Sequence, residues 1–326
     1  MTIRSRLIIA VALSVLTTGA HAAPKKAAPS PPLPEPAPHS STQPQGDAAY
    51  AAFQRGYYLT ALAEAQKRVD ATGDPSAMTL IGVIHAGGLG VPQDDAKAIE
   101  WYSKAAEHGD REAMFSLAMM RLAGRGGPKD RDAAAKLFAS AAKLGQPVAA
   151  YNLGLFYLEG MQFPRDFARA AELFRQAAES GNREAQYALA TMYKEGRGVP
   201  KDDKEATRLL ALAALADHLD AQTEYAIALH NGTGIAKDEA AAAQILRKAA
   251  RRGAPVAQNR LARILATGRG LPEDPKEAVK WHIVSKAAGA SDPFLDDYMA
   301  RQSEEVRKAA QKEAEPWLFL IANSRT

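Results

Sequence analysis

Residues 195–206 read EGRGVPKDDKEA and residues 87–98 read GGLGVPQDDAKA. Either stretch alone looks like a glycine-rich phosphate loop feeding a helix. Together they are two members of one series. From Ala77 a pattern returns every 36 residues, opened by Ala77, Ala113, Ala149, Ala185, Ala221 and Ala257. An apolar residue and then a small one follow, as in Leu153-Gly154 and Leu189-Ala190. Mid-unit glycines stand at 88, 124, 160, 196, 232 and 268, and a second glycine follows two residues later except where Gln162 replaces it. A phosphate loop occurs once, after a strand, with a lysine-hydroxyl pair or a third glycine. This feature occurs six times without them. The glycines therefore punctuate a repeated structure.

Each unit holds two apolar stretches with helical spacing, such as Leu189, Met192 and Tyr193 in the first and Ile99 with Tyr102 in the second. Residues three and four apart share one helix face, so each stretch predicts an amphipathic helix. The glycine pair is expected to end the first helix, because glycine accepts the left-handed backbone of a C-cap. Pro92, Pro128, Pro164, Pro200 and Pro272 then prevent continuation. Asp94, Asp130, Asp166, Asp202, Asp238 and Asp274 stand where an aspartate caps the second helix. Gly109, Gly145, Gly181, Gly253 and Gly289 close that helix, with Asp217 in the fourth unit. Met161-Gln162-Phe163 predicts a different turn in the third.

The 326 residues contain no cysteine, which excludes disulfides, thiolate nucleophiles and cysteine metal sites. Apolar content of 47% and charged content of 24% fit an ordinary globular chain. The net charge of +4 marks no nucleic-acid surface. Arg4 and Arg6 precede the apolar run LIIAVALSVL, and Ala20-His21-Ala22 fits signal cleavage. Residues 1–22 are therefore expected to be a secretory signal, too short to leave a stable membrane span. Residues 23–46 carry 8 of the 19 prolines and read as an extended, disordered linker. Residues 47–76 read as a shorter helix pair, turning at Gly56. Six units fill 77–292, and 293–326 read as one capping helix with a wet face.

AMTLIGVIHAGGLGVPQDDAKAIEWYSKAAEHG (77–109) and AQYALATMYKEGRGVPKDDKEA (185–206) resemble the Sel-one-like repeat family, relatives of the tetratricopeptide repeats. The resemblance spans Ala77 to Gly289. Trp101 and Trp281 keep the family's tryptophan, which Leu137, Leu173, Leu209 and Ile245 replace. It implies an all-α fold, a right-handed superhelical solenoid of stacked antiparallel helix pairs. It also implies an adaptor or scaffold, and many bacterial members are exported.

By the same analogy the first helices line the concave face. Protein-binding candidates on them are Phe115, Met119, Tyr151, Leu155, Tyr187, Thr191, Lys194, His230 and Arg263. Aromatic rings are favoured interface anchors. The same rings at helical spacing also suit packing between adjacent helices, and both readings stand. Asp202, Asp203 and Lys204 read as caps and solvated charges. Ser140 and Lys143 match a Ser-x-x-Lys pattern, yet the partner elements of penicillin-recognising enzymes are missing from the sequence. No histidine pair has metal-ligand spacing. The expectation is a secreted or periplasmic scaffold that binds other proteins without catalysis, cofactor or metal. Alternatives are a regulator restraining a sensor kinase at the inner membrane, or an enzyme acting on β-lactams.

Overall fold

A computed structural model describes residues 47–323. The signal and linker expectations lie outside those residues. Within them every regular element is an α-helix, sixteen in all. The chain divides after Leu144 into two compact units.

The described part of the first unit opens with α1 (Ala48–Gln54) and α2 (Tyr58–Thr72), joined at Gly56, whose φ is +79°. Two 36-residue pairs follow: α3 (Pro75–Gly87) with α4 (Asp95–Glu107), and α5 (Arg111–Ala123) with α6 (Arg131–Lys143). The second unit holds four more pairs. These are α7 (Pro147–Glu159) with α8 (Phe167–Glu179), α9 (Arg183–Glu195) with α10 (Asp203–Leu215), α11 (Leu219–Asn231) with α12 (Glu239–Arg251), and α13 (Pro255–Thr267) with α14 (Pro275–Ala287). All twelve helices have 13 residues. Within each unit every helix up to α14 packs on its chain neighbours, which produces the stack of antiparallel pairs.

The helix ends follow local chemistry. Asp94, Asp130, Asp166, Asp202, Asp238 and Asp274 each accept backbone N–H groups of the following first turn. That satisfies donors a helix start leaves free. The aligned first glycines are left-handed C-caps. Asp217 takes the glycine's place at φ +66°.

The second glycine has a separate cause. A Cβ on Gly198 would lie 2.2 Å from the Phe167 carbonyl oxygen, and one on Gly234 2.0 Å from that of Asp203. Each turn therefore presses its backbone onto the start of the preceding pair's second helix, where no side chain fits. The turn of the third repeat differs as expected: Gln162 takes no positive φ, whereas Gly90, Gly126, Gly198, Gly234 and Gly270 at that position all do. Its Asp166 N–H still donates to the Tyr157 carbonyl at 3.1 Å, as Asp202 does to Tyr193 at 3.1 Å. Phe163 stacks on Tyr157 at 4.9 Å.

The core is a series of rings and alanines. Tyr102, Phe138, Phe174, Leu210 and Leu246 recur at one position and are buried. Alanines such as Ala105, Ala141 and Ala177 are fully buried beside them and let the helix backbones approach. Burying one such ring or leucine contributes about 1.5–3 kcal/mol. Gly82 and Gly154 lie under Tyr102 and Phe174, where a Cβ would meet the ring at 2.6 Å. Burial pushes the Tyr102 hydroxyl up to about 12.

The sixth repeat departs from this pattern. His282 occupies the ring position, buried, with Nε2 2.8 Å from Asp296 Oδ1. Asp296 belongs to α15 (Pro293–Ala300), and α16 (Glu304–Asn323) follows. Two terminal helices thus stand where the sequence reading has one, separated at Arg301–Ser303. Helix α16 covers α14, with Trp317 5.1 Å from Trp281 and Glu313 bonded to Lys276 at 2.7 Å.

Candidate functional site

The first helices carry the predicted binding residues, and their surroundings divide them into groups. Phe115 and Met119 on α5 are half-buried, with the Phe115 ring 6.0 Å from Phe138. Tyr151 on α7 is only 3% exposed, its ring 5.5 Å from Phe174. It belongs to the core, and burial raises its hydroxyl above the usual tyrosine value. As a surface anchor it is therefore withdrawn. Leu155, one turn further on, is half-buried.

Tyr187 and Lys194 on α9 converge on Glu224 of α11. The Tyr187 hydroxyl donates to Glu224 Oε1 at 2.8 Å, and the Lys194 ammonium bonds Oε2. Burial and the Glu224 carboxylate together hold the Tyr187 proton well above its ordinary range. Its ring stacks on His218 at 4.5 Å. Thr191 turns its hydroxyl back to the Tyr187 carbonyl at 3.1 Å.

One repeat position links successive pairs rather than facing a partner. Thr79 Oγ1 donates to Asp110 at 3.0 Å, Tyr187 stacks on His218, and Asn259 donates to Asp292 at 3.1 Å. Asp110, His218 and Asp292 each cap the helix that begins the next element. These side chains hold one repeat in register with the next. Spacing alone cannot separate this role from binding, because a half-exposed helix position suits both.

The structure brings His230 and Arg263 together. Both line a cavity of about 330 Å³ in the second unit, with Arg260, Arg269, Ile264 and Phe294. Arg263 grips Asp292 through Nε at 2.5 Å and Nη2 at 2.7 Å, and lies 5.1 Å from the Phe294 ring centre. The Arg263 guanidinium draws the Asp292 carboxyl down to about 2, against its burial. A two-pronged guanidinium–carboxylate contact fixes both partners in plane. It ties α13 to the cap of α15 and so shapes one wall of the cavity.

Sequence reading missed Arg260, Arg269 and Phe294. Arg269 sits inside a Gly-Arg-Gly turn whose glycines punctuate the repeat, and Phe294 lies beyond the last repeat. The repeated Gly-Arg-Gly was an available signal, since it also places Arg125 against Asp95 at 2.5 Å and Arg197 over Phe167 at 5.3 Å.

Ser140 donates its hydroxyl to the Lys136 carbonyl of its own helix at 3.1 Å. No cluster of three or more metal-ligating side chains occurs among the described residues. None of the described helices is long and apolar enough to cross a membrane.

Comparison with known proteins agrees with this architecture. The Sel1 repeat family model matches residues 75–110, 111–146, 147–182, 183–218, 219–253 and 255–289. A Sel1 repeat protein from Oxalobacter formigenes is similar at 32% identity and TM-score 0.64, over 74% of this chain and 98% of that one. The c5321 protein of uropathogenic Escherichia coli, a protective antigen with an SLR fold, is similar at 27% identity and TM-score 0.69. That alignment covers 85% of this chain, which spans only 61% of the length of c5321. No curated protein matches significantly. With six matches in phase with its twelve repeat helices, the chain belongs to the Sel1 repeat family.

Proposed function

We propose that the protein is an exported scaffold that holds another protein on the face lined by the first helices of its repeats, without bond chemistry. Sel1 repeats generally serve as protein-interaction scaffolds. The observation that carries the reading is the state of those helices. Phe115, Met119 and Leu155 remain half-exposed, whereas the ring position of the second helices is buried throughout. A helix pair hides its apolar stripe by stacking, and what stays partly open along the stack is available to a partner. Export rests on the basic, apolar and small-residue series of residues 1–22.

Site-specific photo-crosslinking in intact cells tests the docking face. A crosslinking residue replacing Leu155 or Thr191 is expected to capture one defined partner, and one replacing Gln176 on the exposed side of α8 is not. Capture from Gln176 alone, or from none of the three, would remove the reading. Cell fractionation with N-terminal sequencing tests export, the expected mature start being Ala23.

A further inference from the structure

We infer that the cavity between α11, α13 and α15 is a receptor for a carboxylate-rich segment of the partner protein, gripped by Arg260 and Arg269. The inference rests on the scaffold reading and names the chemistry of what one part of the scaffold takes.

In the second unit Lys194 is matched by Glu224, Arg247 by Glu277 and Arg252 by Asp217. The cavity concentrates cations instead. Three guanidiniums, Arg260, Arg263 and Arg269, line it together with His230, and no carboxylate does. Arg263 is spent on Asp292. Arg260 and Arg269 are exposed and enter no ion pair among the described residues.

Arg269 shows the difference most clearly. Its place in the turn is that of Arg125, which reaches back to the first residue of the preceding pair's second helix, Asp95, at 2.5 Å. The matching acid for Arg269 is Glu239. That carboxylate is bonded instead to Lys237 at 2.7 Å, and Lys237 contributes most to its lowered pKa, with His230 and Arg269 contributing less. Arg269 thus lines the cavity without an ion pair of its own among the described residues.

Two free planar guanidiniums favour carboxylate over a neutral group, because each offers two parallel N–H donors to two oxygens. The volume of about 330 Å³ suits one or two side chains rather than a large cofactor. The Ile264 and Phe294 walls accept the methylene carbons of glutamate. Arg263, held by Asp292, keeps the floor rigid, so little ordering is required when the segment enters.

Fluorescence anisotropy with the purified full chain tests this, using a fluorescein-labelled hexaglutamate peptide as probe. Hexaglutamate is expected to bind saturably, and hexaglutamine not to bind. Affinity is expected to fall as salt is added. The double variant Arg260→Gln/Arg269→Gln is expected to lose roughly tenfold to a hundredfold, since each charge-assisted bond is worth that order. Both side chains are exposed, so circular dichroism is expected to be unchanged. The variant Lys248→Gln/Arg251→Gln removes equal charge from exposed positions of α12 outside the cavity and is expected to bind as the wild type does. Equal loss in that control, undiminished binding by the cavity variant, or no binding at all would overturn the inference. So would a single-stranded oligonucleotide of equal charge binding more tightly and with the same dependence on Arg260 and Arg269. Failure here with intact crosslinking from Leu155 or Thr191 would sink the cavity and leave the scaffold standing. Loss of crosslinking with intact peptide binding would do the reverse.

Discussion

At the scale of single residues, two glycines with the same backbone sign have different duties. Gly181 closes α8 at φ +83° with nothing within 4 Å of a built Cβ. Gly198 has φ +72° and the Phe167 carbonyl oxygen at 2.2 Å. Gly181→Ala is expected to cost about 1–2 kcal/mol, the strain of a left-handed alanine. Gly198→Ala adds a backbone clash and is expected to cost more, by about 1–3 kcal/mol as for overpacking elsewhere. Urea denaturation of both variants checks the ordering, and equal midpoints would contradict it. The sequence makes both glycines visible. It hides the difference, because the Phe167 carbonyl is 31 positions away in the chain and arrives only when repeats stack.

At the scale of elements, each helix start is a capping problem with its own pH behaviour. Helix α11 is capped by His218, whose Nδ1 accepts from the Ala221 N–H at 3.2 Å. Acceptance requires the neutral ring. Burial lowers the His218 pKa from 6.5, with Asp220 and Glu184 opposing in part. The folded state therefore binds a proton less readily than the unfolded chain. The stability this group contributes is complete above its ordinary value and declines as pH falls below it. His218→Asn, the residue type that Asn182 supplies to α9, is expected to keep the cap and flatten that decline. Urea midpoints at about pH 7.5 and 5.5 test this, with a smaller drop expected in the variant. Most caps were legible as Asp–Gly punctuation because capping is local. The stacking of Tyr187 on His218 was not legible, since it joins two repeats.

At the scale of the whole molecule, a stack must end. In the second unit α15 and α16 end it, with the buried His282 and the half-exposed Asp296 replacing an apolar contact by a polar one. Trp317 closes over Trp281, which is 2% exposed. Trp317→Ala is expected to cost about 2 kcal/mol, part of what a fully buried ring loses. It is also expected to expose Trp281 and promote self-association. Thermal melting with light scattering measures both effects. An unchanged melting temperature would mean that α16 is not a cap.

The sequence by itself determined the period, the second-helix caps and the repeat family, because each of these is written in signals within about one repeat. Only the tertiary structure decided which half-apolar positions are core and which are open. Tyr151 and Leu155 lie one turn apart on α7, yet Phe174 buries the first and leaves the second partly free. It alone also gathered Arg260, Arg269 and Phe294 around His230 and Arg263, since the cavity draws on two repeats and a terminal helix. The physical reason is that exposure and unpaired charge belong to a packed neighbourhood, and neither is a property of any one segment.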